Sequence, residues 1–165
     1  MVDYTTLSIV LTGIGLIVAI TYYSLQIRNQ NTTRQAQLFM QLFDRWGDPN
    51  FAKIYGEYRY KTCAKANNDP KEICKIAAHA LFESFNPDVW IPIQTLAQYF
   101  EGISILVQKK LIDVDMVERL LSGRIIWYWD STGPFIEYVR ERIGDPTMYR
   151  ELELLANEMK NRKGI

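Results

Sequence analysis

An uncharged apolar segment near the N-terminus constrains the fold of this chain more than any other feature. No charged side chain occurs from Tyr4 to Ile27, and Leu, Ile, Val, Ala and Gly dominate residues 7–25. About 20 residues that rise about 1.5 Å each cover about 30 Å, the thickness of the hydrocarbon core of a bilayer. The segment therefore predicts a helix that spans a membrane. The alternative is a buried core helix of a soluble protein.

The flanks of this segment argue against a cleaved signal peptide and indicate an orientation. A signal peptide needs a basic start and a small-residue cleavage site, whereas the first charge here is Asp3 and the segment ends near Tyr22 and Tyr23. Arg28 and Arg34 follow it. The positive-inside rule then predicts a single-pass protein of the cell membrane with its N-terminus outside and its C-terminal domain in the cytoplasm. Two arginines are a small excess, so the opposite orientation stays open.

Small side chains follow one stripe of the predicted membrane helix. Their spacings are four, three and four residues, and the positions are Ser8, Thr12, Gly15 and Ala19. Such a stripe lets two membrane helices approach closely, so these residues are the predicted membrane-helix packing positions. The alternative is that small residues are simply frequent in membrane helices.

The rest of the chain has the pattern of a helical bundle. Apolar residues recur at helical spacing, and no segment alternates long enough to predict a sheet. Asp48-Pro49 and Asp69-Pro70 each have the pattern of an N-cap followed by a proline in the first turn. We expect an all-α fold in which an N-terminal transmembrane helix continues into a bundle of about five or six helices. Residues 1–30 form the membrane anchor and juxtamembrane segment, and residues 31–165 form the helical domain.

Prolines and glycines predict where the later helices begin and end. Asn86-Pro87 and Pro92 interrupt one pattern, so a long helix is expected to start after them. Gly123 predicts the end of a short helix that Asp113 caps, and Gly133-Pro134 predicts a kink or break in the helix that follows.

The residue types that carry chemistry are few and scattered. Lys plus Arg and Asp plus Glu number 19 each, so no net charge attracts nucleic acid, which is not an expected partner. His79 is the single histidine, and it has only Glu83 one helical turn away, whereas a catalytic zinc needs a third ligand. Cys63 and Cys74 match no zinc or redox spacing. They are free thiols if the domain is cytoplasmic, and in an external domain they could join two helices. We assign no catalytic residue, metal or cofactor.

A polar row and an aromatic pair form the candidate partner surface. The row lies on one face of the long predicted helix, where a solvated face is the simpler explanation. The pair belongs to Arg124, Trp127 and Tyr128, whose spacing allows the guanidinium to pack over an aromatic ring. These aromatic residues either anchor the core or contact a partner or lipid headgroups. The candidate surface residues are Gln94, Gln98, Glu101, Gln108, Trp127 and Tyr128.

Several short motifs follow the predicted membrane helix in order. They are Asn29-Gln30-Asn31 to Ala36, Phe100-Glu101-Gly102-Ile103 to Leu106-Val107, Leu111-Ile112-Asp113, Trp129, Arg140 or Arg142, and Leu154-Leu155-Ala156. In this order the chain resembles a widespread prokaryotic family of small single-pass membrane proteins with a helical domain of unknown function. The resemblance implies a membrane anchor and a helical domain in a bacterium or archaeon, and it implies no reaction.

The absence of any recognisable catalytic motif favours a membrane-anchored helical interaction module over an enzyme. The module would be either an accessory subunit of a membrane complex or a homo-oligomer, with the lipid bilayer and a protein partner or a second copy as its partners. One alternative is a membrane-surface enzyme that uses Asp or Glu with Arg. Its candidate carboxylates are Asp44, Glu57, Glu101, Asp130 and Glu137. Another alternative is a structural protein of the cell envelope.

Overall fold

The computed structural model describes residues 3–165, with the side chain of Thr6 left out, and within this range it contains helices and no strand. The first two residues of the predicted anchor thus lie outside the described residues. The α-helices are α1 (Tyr4–Gly47), α2 (Pro49–Glu57), α3 (Pro70–Phe82), α4 (Pro87–Gln108), α5 (Val114–Ile143) and α6 (Arg150–Lys163), and a π-helical segment (Tyr58–Cys63) follows α2 directly. The predicted all-α fold with a long apolar N-terminal helix and a helical bundle is confirmed.

The described chain forms two compact units. One unit ends at Phe39 and consists of the N-terminal part of α1, and the other, here called the helical unit, runs from Met40 to Ile165. Helix α1 contains a window that is long and apolar enough to cross a membrane, and none of that window is buried in the protein. The predicted division after residue 30 concerns the edge of a bilayer and stays a prediction.

Aspartates cap three helices of the helical unit, as their positions in the sequence predict. The side chain of Asp48 accepts a hydrogen bond from the backbone N–H of Asn50 at 2.8 Å, and that of Asp69 accepts one from Lys71 at 2.9 Å. Asp113 caps α5 in the same way. Each bond satisfies one of the N–H groups that a helix leaves unpaired in its first turn.

Helices α4 and α5 are longer than the prolines and glycines predict. Helix α4 begins at Pro87, with Asn86 as its N-cap, so the expected start after Pro92 is wrong. Helix α5 continues without interruption through Gly123 and Gly133-Pro134, so the expected stop and the expected break are wrong. A glycine weakens a helix by about 1 kcal/mol and a proline by about 3 kcal/mol. Several buried apolar side chains on both sides of these positions, at about 1.5–3 kcal/mol each, outweigh those amounts.

Buried tyrosines tie the core of the helical unit together. The hydroxyl of Tyr128 donates a hydrogen bond to the carbonyl oxygen of Ile93 at 2.6 Å, which joins α5 to α4. The hydroxyls of Tyr58 and Ser131 share a hydrogen bond, which joins the π-helical segment to α5. Because these polar groups are buried, their pairing removes the cost of an unsatisfied hydroxyl.

Candidate functional site

An apolar cleft lies in the helical unit between α3, α4, α5 and the turn before α6. Its volume is about 310 Å³, at the lower end of the range for small-molecule sites. None of the described residues that line it carries a charge. Such a cleft favours apolar ligand groups, because a charge placed inside it would lose its hydration. Much of its wall consists of Leu81, Phe82, Ile93, Ala97, Ile136 and Val139.

Exposed apolar side chains accompany this cleft. Ile143 lines it and is 52% exposed, and Phe85, whose ring centroid lies 6.0 Å from that of the lining residue Trp90, is 67% exposed. The backbone of Phe85 has a φ of 44°, a left-handed conformation that is strained for a bulky residue. Exposed apolar surface beside a cleft and a strained backbone are both features of binding sites.

Three of the residues that line the cleft have polar groups in their side chains. The indole Nε1 of Trp90 is buried and has no hydrogen-bond partner among the described residues. A buried donor left in this state costs about 1–3 kcal/mol. The amide of Gln94 and the hydroxyl of Tyr149 also belong to the lining, and each can donate and accept a hydrogen bond. The cleft thus has mostly apolar walls with a few polar side chains among the residues that line it.

Arg140 and Glu101 hold the turn that carries one wall of the cleft. The Nε of Arg140 donates to the carbonyl oxygen of Met148 and its Nη1 donates to Glu153, both at 2.8 Å. The Oε2 of Glu101 accepts from the backbone N–H of Leu152 at 2.7 Å, in the first turn of α6. Met148 is a lining residue, so these bonds determine the position of that wall.

Burial changes the pKa of two groups at this turn. Burial raises the pKa of the Glu101 carboxyl, although the backbone N–H groups of Leu152 and Glu151 act in the opposite direction. Burial also raises the pKa of the Tyr149 hydroxyl, and the negative charge of Glu101 adds to this effect. Tyr149 therefore keeps its proton at neutral pH and can donate a hydrogen bond.

A guanidinium packs against one of the cleft residues. The Cζ of Arg142 lies 4.5 Å from the centroid of the Phe82 ring, and its Nη1 donates to the hydroxyl of Tyr138 at 3.0 Å. Arg142 is exposed, and none of the ion pairs among the described residues involves it. A positive charge without a carboxylate partner thus lies beside an uncharged cleft.

The predicted polar row on α4 does not form one exposed strip. Gln94 lines the cleft, whereas Gln98 and Gln108 are exposed. Glu101 is half-buried and contacts the first turn of α6. The role of these residues toward a partner stays a prediction.

The aromatic pair lies in or near the core. Tyr128 is fully buried, so the interpretation of this residue as an exposed anchor is wrong and the core interpretation holds. Trp127 is half-buried, with its ring 5.6 Å from that of Tyr58. Arg124 packs over Trp46 and not over Trp127, because Trp127 faces the aromatic residues of the π-helical segment and α2.

The predicted membrane-helix packing positions lie in the apolar part of α1. The hydroxyl of Thr12 donates to the carbonyl oxygen of Ser8 at 2.8 Å. A Cβ atom added at Gly15 would meet no neighbour within 4 Å. Ala19 belongs to the same apolar part of the helix. The packing role of these residues stays a prediction.

The candidate carboxylates contact different parts of the protein. Glu57 pairs with Lys61 at 3.1 Å, and Asp130 pairs with Lys160. Asp44 and Glu137 are exposed.

The residue types that can ligate metals are also scattered over the described part of the protein. His79 and Glu83 lie 3.9 Å apart on the surface, and the thiols of Cys63 and Cys74 are free. From residue 3 to residue 165, no group of three His, Cys, Asp or Glu side chains has the arrangement of a metal site.

The sequence did not point to the cleft. Its walls come from three consecutive helices and the turn before α6, and their apolar residues have the same spacing as core residues. The one local signal was the pair of aromatic residues Phe85 and Trp90 on either side of the Asn86-Pro87 turn. Large aromatic residues beside a polar turn are frequent in contact surfaces.

Comparison with known proteins gives the family of the chain. No curated protein and no solved structure matches it. A family model described as Domain of unknown function (DUF4760) matches residues 9–159, which include most of the apolar part of α1 and every residue that lines the cleft. The chain therefore belongs to the family described as Domain of unknown function (DUF4760).

Proposed function

We propose that this protein is a single-pass membrane protein that holds a helical binding module at the cytoplasmic face of the cell membrane. The observation that carries this proposal is the exposure of the apolar window of α1, none of which is buried in the protein. Ile9 is 72% exposed, Ile17 65% and Ile20 58%. Water disfavours apolar surface by about 25 cal/mol per Å². A bilayer removes this penalty on every side of the helix.

Three hydroxyl groups of this segment are paired within the helix, as a hydrocarbon environment requires. Thr12, Thr21 and Ser24 each donate a hydrogen bond to the carbonyl oxygen four residues earlier, at 2.8–2.9 Å. In lipid no water can pair with a hydroxyl, so pairing with the helix backbone lowers the cost of burying it.

The charges beside the segment support the orientation. Arg28 and Arg34 follow the apolar window, and Asp3 precedes it. The positive-inside rule predicts that the arginine flank and the helical unit stay in the cytoplasm.

The cleft supports a binding role for the helical unit. It has apolar walls, and the exposed side chains of Phe85 and Ile143 lie beside or within its lining. A few polar groups in an apolar cleft are typical of ligand sites. For the module as a whole we propose a protein partner or a second copy of the chain. A second copy would pack along the small-residue stripe defined above.

Fusion reporters and fractionation test the anchor and its orientation. A reporter that works only in the cytoplasm, fused after Ile165 in a bacterial host, should be active, and the protein should stay in membranes washed with alkaline carbonate. The triple variant Asp3→Arg, Arg28→Gln and Arg34→Gln reverses the charge bias and should lower the cytoplasmic signal. A protein found in the soluble fraction, or one whose mature N-terminus follows Ala19, contradicts the proposal.

A further inference from the structure

We propose that the apolar cleft binds a free medium-chain fatty acid, with the hydrocarbon tail inside the cleft and the carboxylate at the guanidinium of Arg142. This proposal rests on the binding role of the cleft proposed above. It adds the chemical class of the ligand and the residue that recognises its charged group.

The size and the lining of the cleft determine what fits inside. A water-sized group occupies about 30 Å³, so the cleft takes roughly ten heavy atoms. A helix of a partner protein is about 10–12 Å across with its side chains, so a cleft of 310 Å³ could take only some of its side chains and not the helix itself. The walls formed by Ile93, Ala97, Ile136 and Val139 carry no charge and suit methylene groups. A single hydrocarbon chain therefore fits the cleft better than a helix does.

The position of Arg142 favours a carboxylate as the head group. Its guanidinium lies 4.5 Å from the ring of Phe82, which also lines the cleft. Among the described residues, its one hydrogen-bond partner is the hydroxyl of Tyr138, at Nη1, so other N–H groups of this exposed side chain remain for a ligand. Guanidinium and carboxylate groups pair through two parallel hydrogen bonds. A fatty acid with its tail in the cleft can thus place its carboxylate beside the guanidinium of Arg142.

A side chain at the mouth of the cleft can cover the methylene groups of the fatty acid that lie next to its carboxylate. Ile143 lines the cleft, is 52% exposed and directly follows Arg142 in the chain. A hydrocarbon tail that leaves the cleft toward Arg142 would pass the side chain of Ile143. This side chain would shield the methylene groups next to the carboxylate from water. The proposed anchor would tether the helical unit to a bilayer, into which the apolar tail of a fatty acid partitions.

Photolabelling of the full chain in lipid nanodiscs tests this proposal. One probe is decanoic acid with a diazirine at the end of its tail, and the matched probe is decanol with the same diazirine. After irradiation, digestion and mass spectrometry, we expect the acid probe to label peptides from α3, α4 and the C-terminal half of α5. Unlabelled decanoic acid should compete with this labelling.

Arg142→Gln tests the recognition of the carboxylate. This variant removes the charge and should lower labelling of the cleft by the acid probe about two- to fivefold, as expected for the loss of an exposed ion pair. Labelling by the decanol probe should not change. Arg119→Gln is the matched control, because Arg119 is another exposed arginine of α5, and it should leave both probes unaffected.

Ala97→Leu tests the place of the tail. Ala97 is 1% exposed and lines the cleft, so the larger side chain fills the space that the tail needs. Both probes should lose their labelling of the cleft. Ile143→Trp narrows the exposed mouth without changing the interior, and it gives the same test if Ala97→Leu does not fold. Helical content measured by circular dichroism establishes which variants fold.

Two results overturn the proposal in different ways. If decanol labels the cleft as strongly as decanoic acid and Arg142→Gln changes nothing, the ligand class is wrong while the binding role of the cleft stands. If labelling of the helical unit is unaffected in every folded variant of Ala97 and Ile143, or if it occurs only on residues 7–27, the cleft binds neither probe and its proposed binding role fails as well.

Discussion

The guanidinium of Arg124 lies over the indole ring of Trp46, with its Cζ 4.5 Å from the ring centroid. Trp46 belongs to the last turn of α1, and its ring also contacts Phe51 and Tyr55 of α2 edge to face, at 5.1 and 5.2 Å. Arg124 belongs to α5. The contact therefore joins two helices of the helical unit that are far apart in sequence.

Replacing Arg124 with glutamine should destabilise the helical unit modestly. The cation–π contact at an exposed site stabilises by about 0.5–1 kcal/mol, and the variant loses it. The midpoint of thermal unfolding, followed by circular dichroism in nanodiscs, should fall by a few degrees relative to the wild type. The matched control Arg119→Gln should stay near the wild-type value. An Arg124→Gln midpoint equal to that of the control would show that the contact contributes nothing measurable.

Helical periodicity and capping residues predicted much of the fold, whereas side-chain partners across the core were not predictable. The spacing of Arg124 and Trp127 allowed a contact along one helix, but the structure pairs Arg124 with Trp46. Trp127 instead contacts Tyr55 of α2 and Tyr58 of the π-helical segment, with ring centroids 6.0 and 5.6 Å away. Local spacing states which pairs can meet on one helix. It does not state which residue of another helix competes for the same face.

Gly123→Ala should stabilise the protein. Gly123 lies inside α5, and an added Cβ would meet nothing within 4 Å, so alanine gains helix propensity of about 0.5–1 kcal/mol without a clash. Gly144→Ala is the contrasting variant. Gly144 ends the same helix with a φ of 71°, where alanine is strained by about 1–2 kcal/mol. The two unfolding midpoints should move in opposite directions. A lower midpoint for Gly123→Ala would contradict the continuous helix at this position.

Glu101 should make the stability of the helical unit depend on pH. Burial raises the pKa of its carboxyl in the folded protein. Such a group binds its proton more tightly in the folded state, so the free energy of unfolding falls as the pH rises from the unfolded pKa, about 4.3, to the folded pKa. Below this pH interval the free energy of unfolding is not reduced, and above it the reduction is complete.

Glu101→Gln isolates this contribution. The neutral amide has no such proton equilibrium, but its oxygen can still accept the hydrogen bond from the backbone N–H of Leu152. The unfolding midpoint of the wild type minus that of the variant, measured over a pH series, should decrease as the pH rises through this interval. A difference that is constant or that increases with pH would show that burial does not dominate the pKa of Glu101.

The cleft could not be predicted from the sequence, whereas the proposed membrane anchor could. The anchor is a property of consecutive residues, so composition along the chain is enough to predict it. The cleft depends on how far apart α3, α4 and α5 lie, and residues such as Val139 and Ala97 have the helical spacing of ordinary core residues. Gln94 and Arg142 depart from a core pattern, but a glutamine on a polar helix face is ordinary, and an exposed arginine near the end of a helix has a simpler explanation in the helix dipole.

Gly15→Leu tests whether α1 packs against another membrane helix. A Cβ added at Gly15 meets no neighbour within 4 Å, so the larger side chain leaves this chain unstrained. If Gly15 packs against a second copy or a partner helix, leucine holds the two backbones apart and association weakens. Membrane insertion should survive, because leucine is favourable at the centre of a membrane helix.

Association of the anchor at matched expression, measured by energy transfer between two tagged copies, is the informative readout. Gly15→Leu should lower it, whereas Ile17→Leu, a substitution of similar size on a different face, should not. Because both variants insert and neither changes the charge, a difference between them isolates contact at the stripe. Equal association for the wild type and both variants would show that α1 is only a tether. A partner would then contact the helical unit. The next positions to substitute would be Phe85 and Ile143, whose exposed side chains lie beside the cleft.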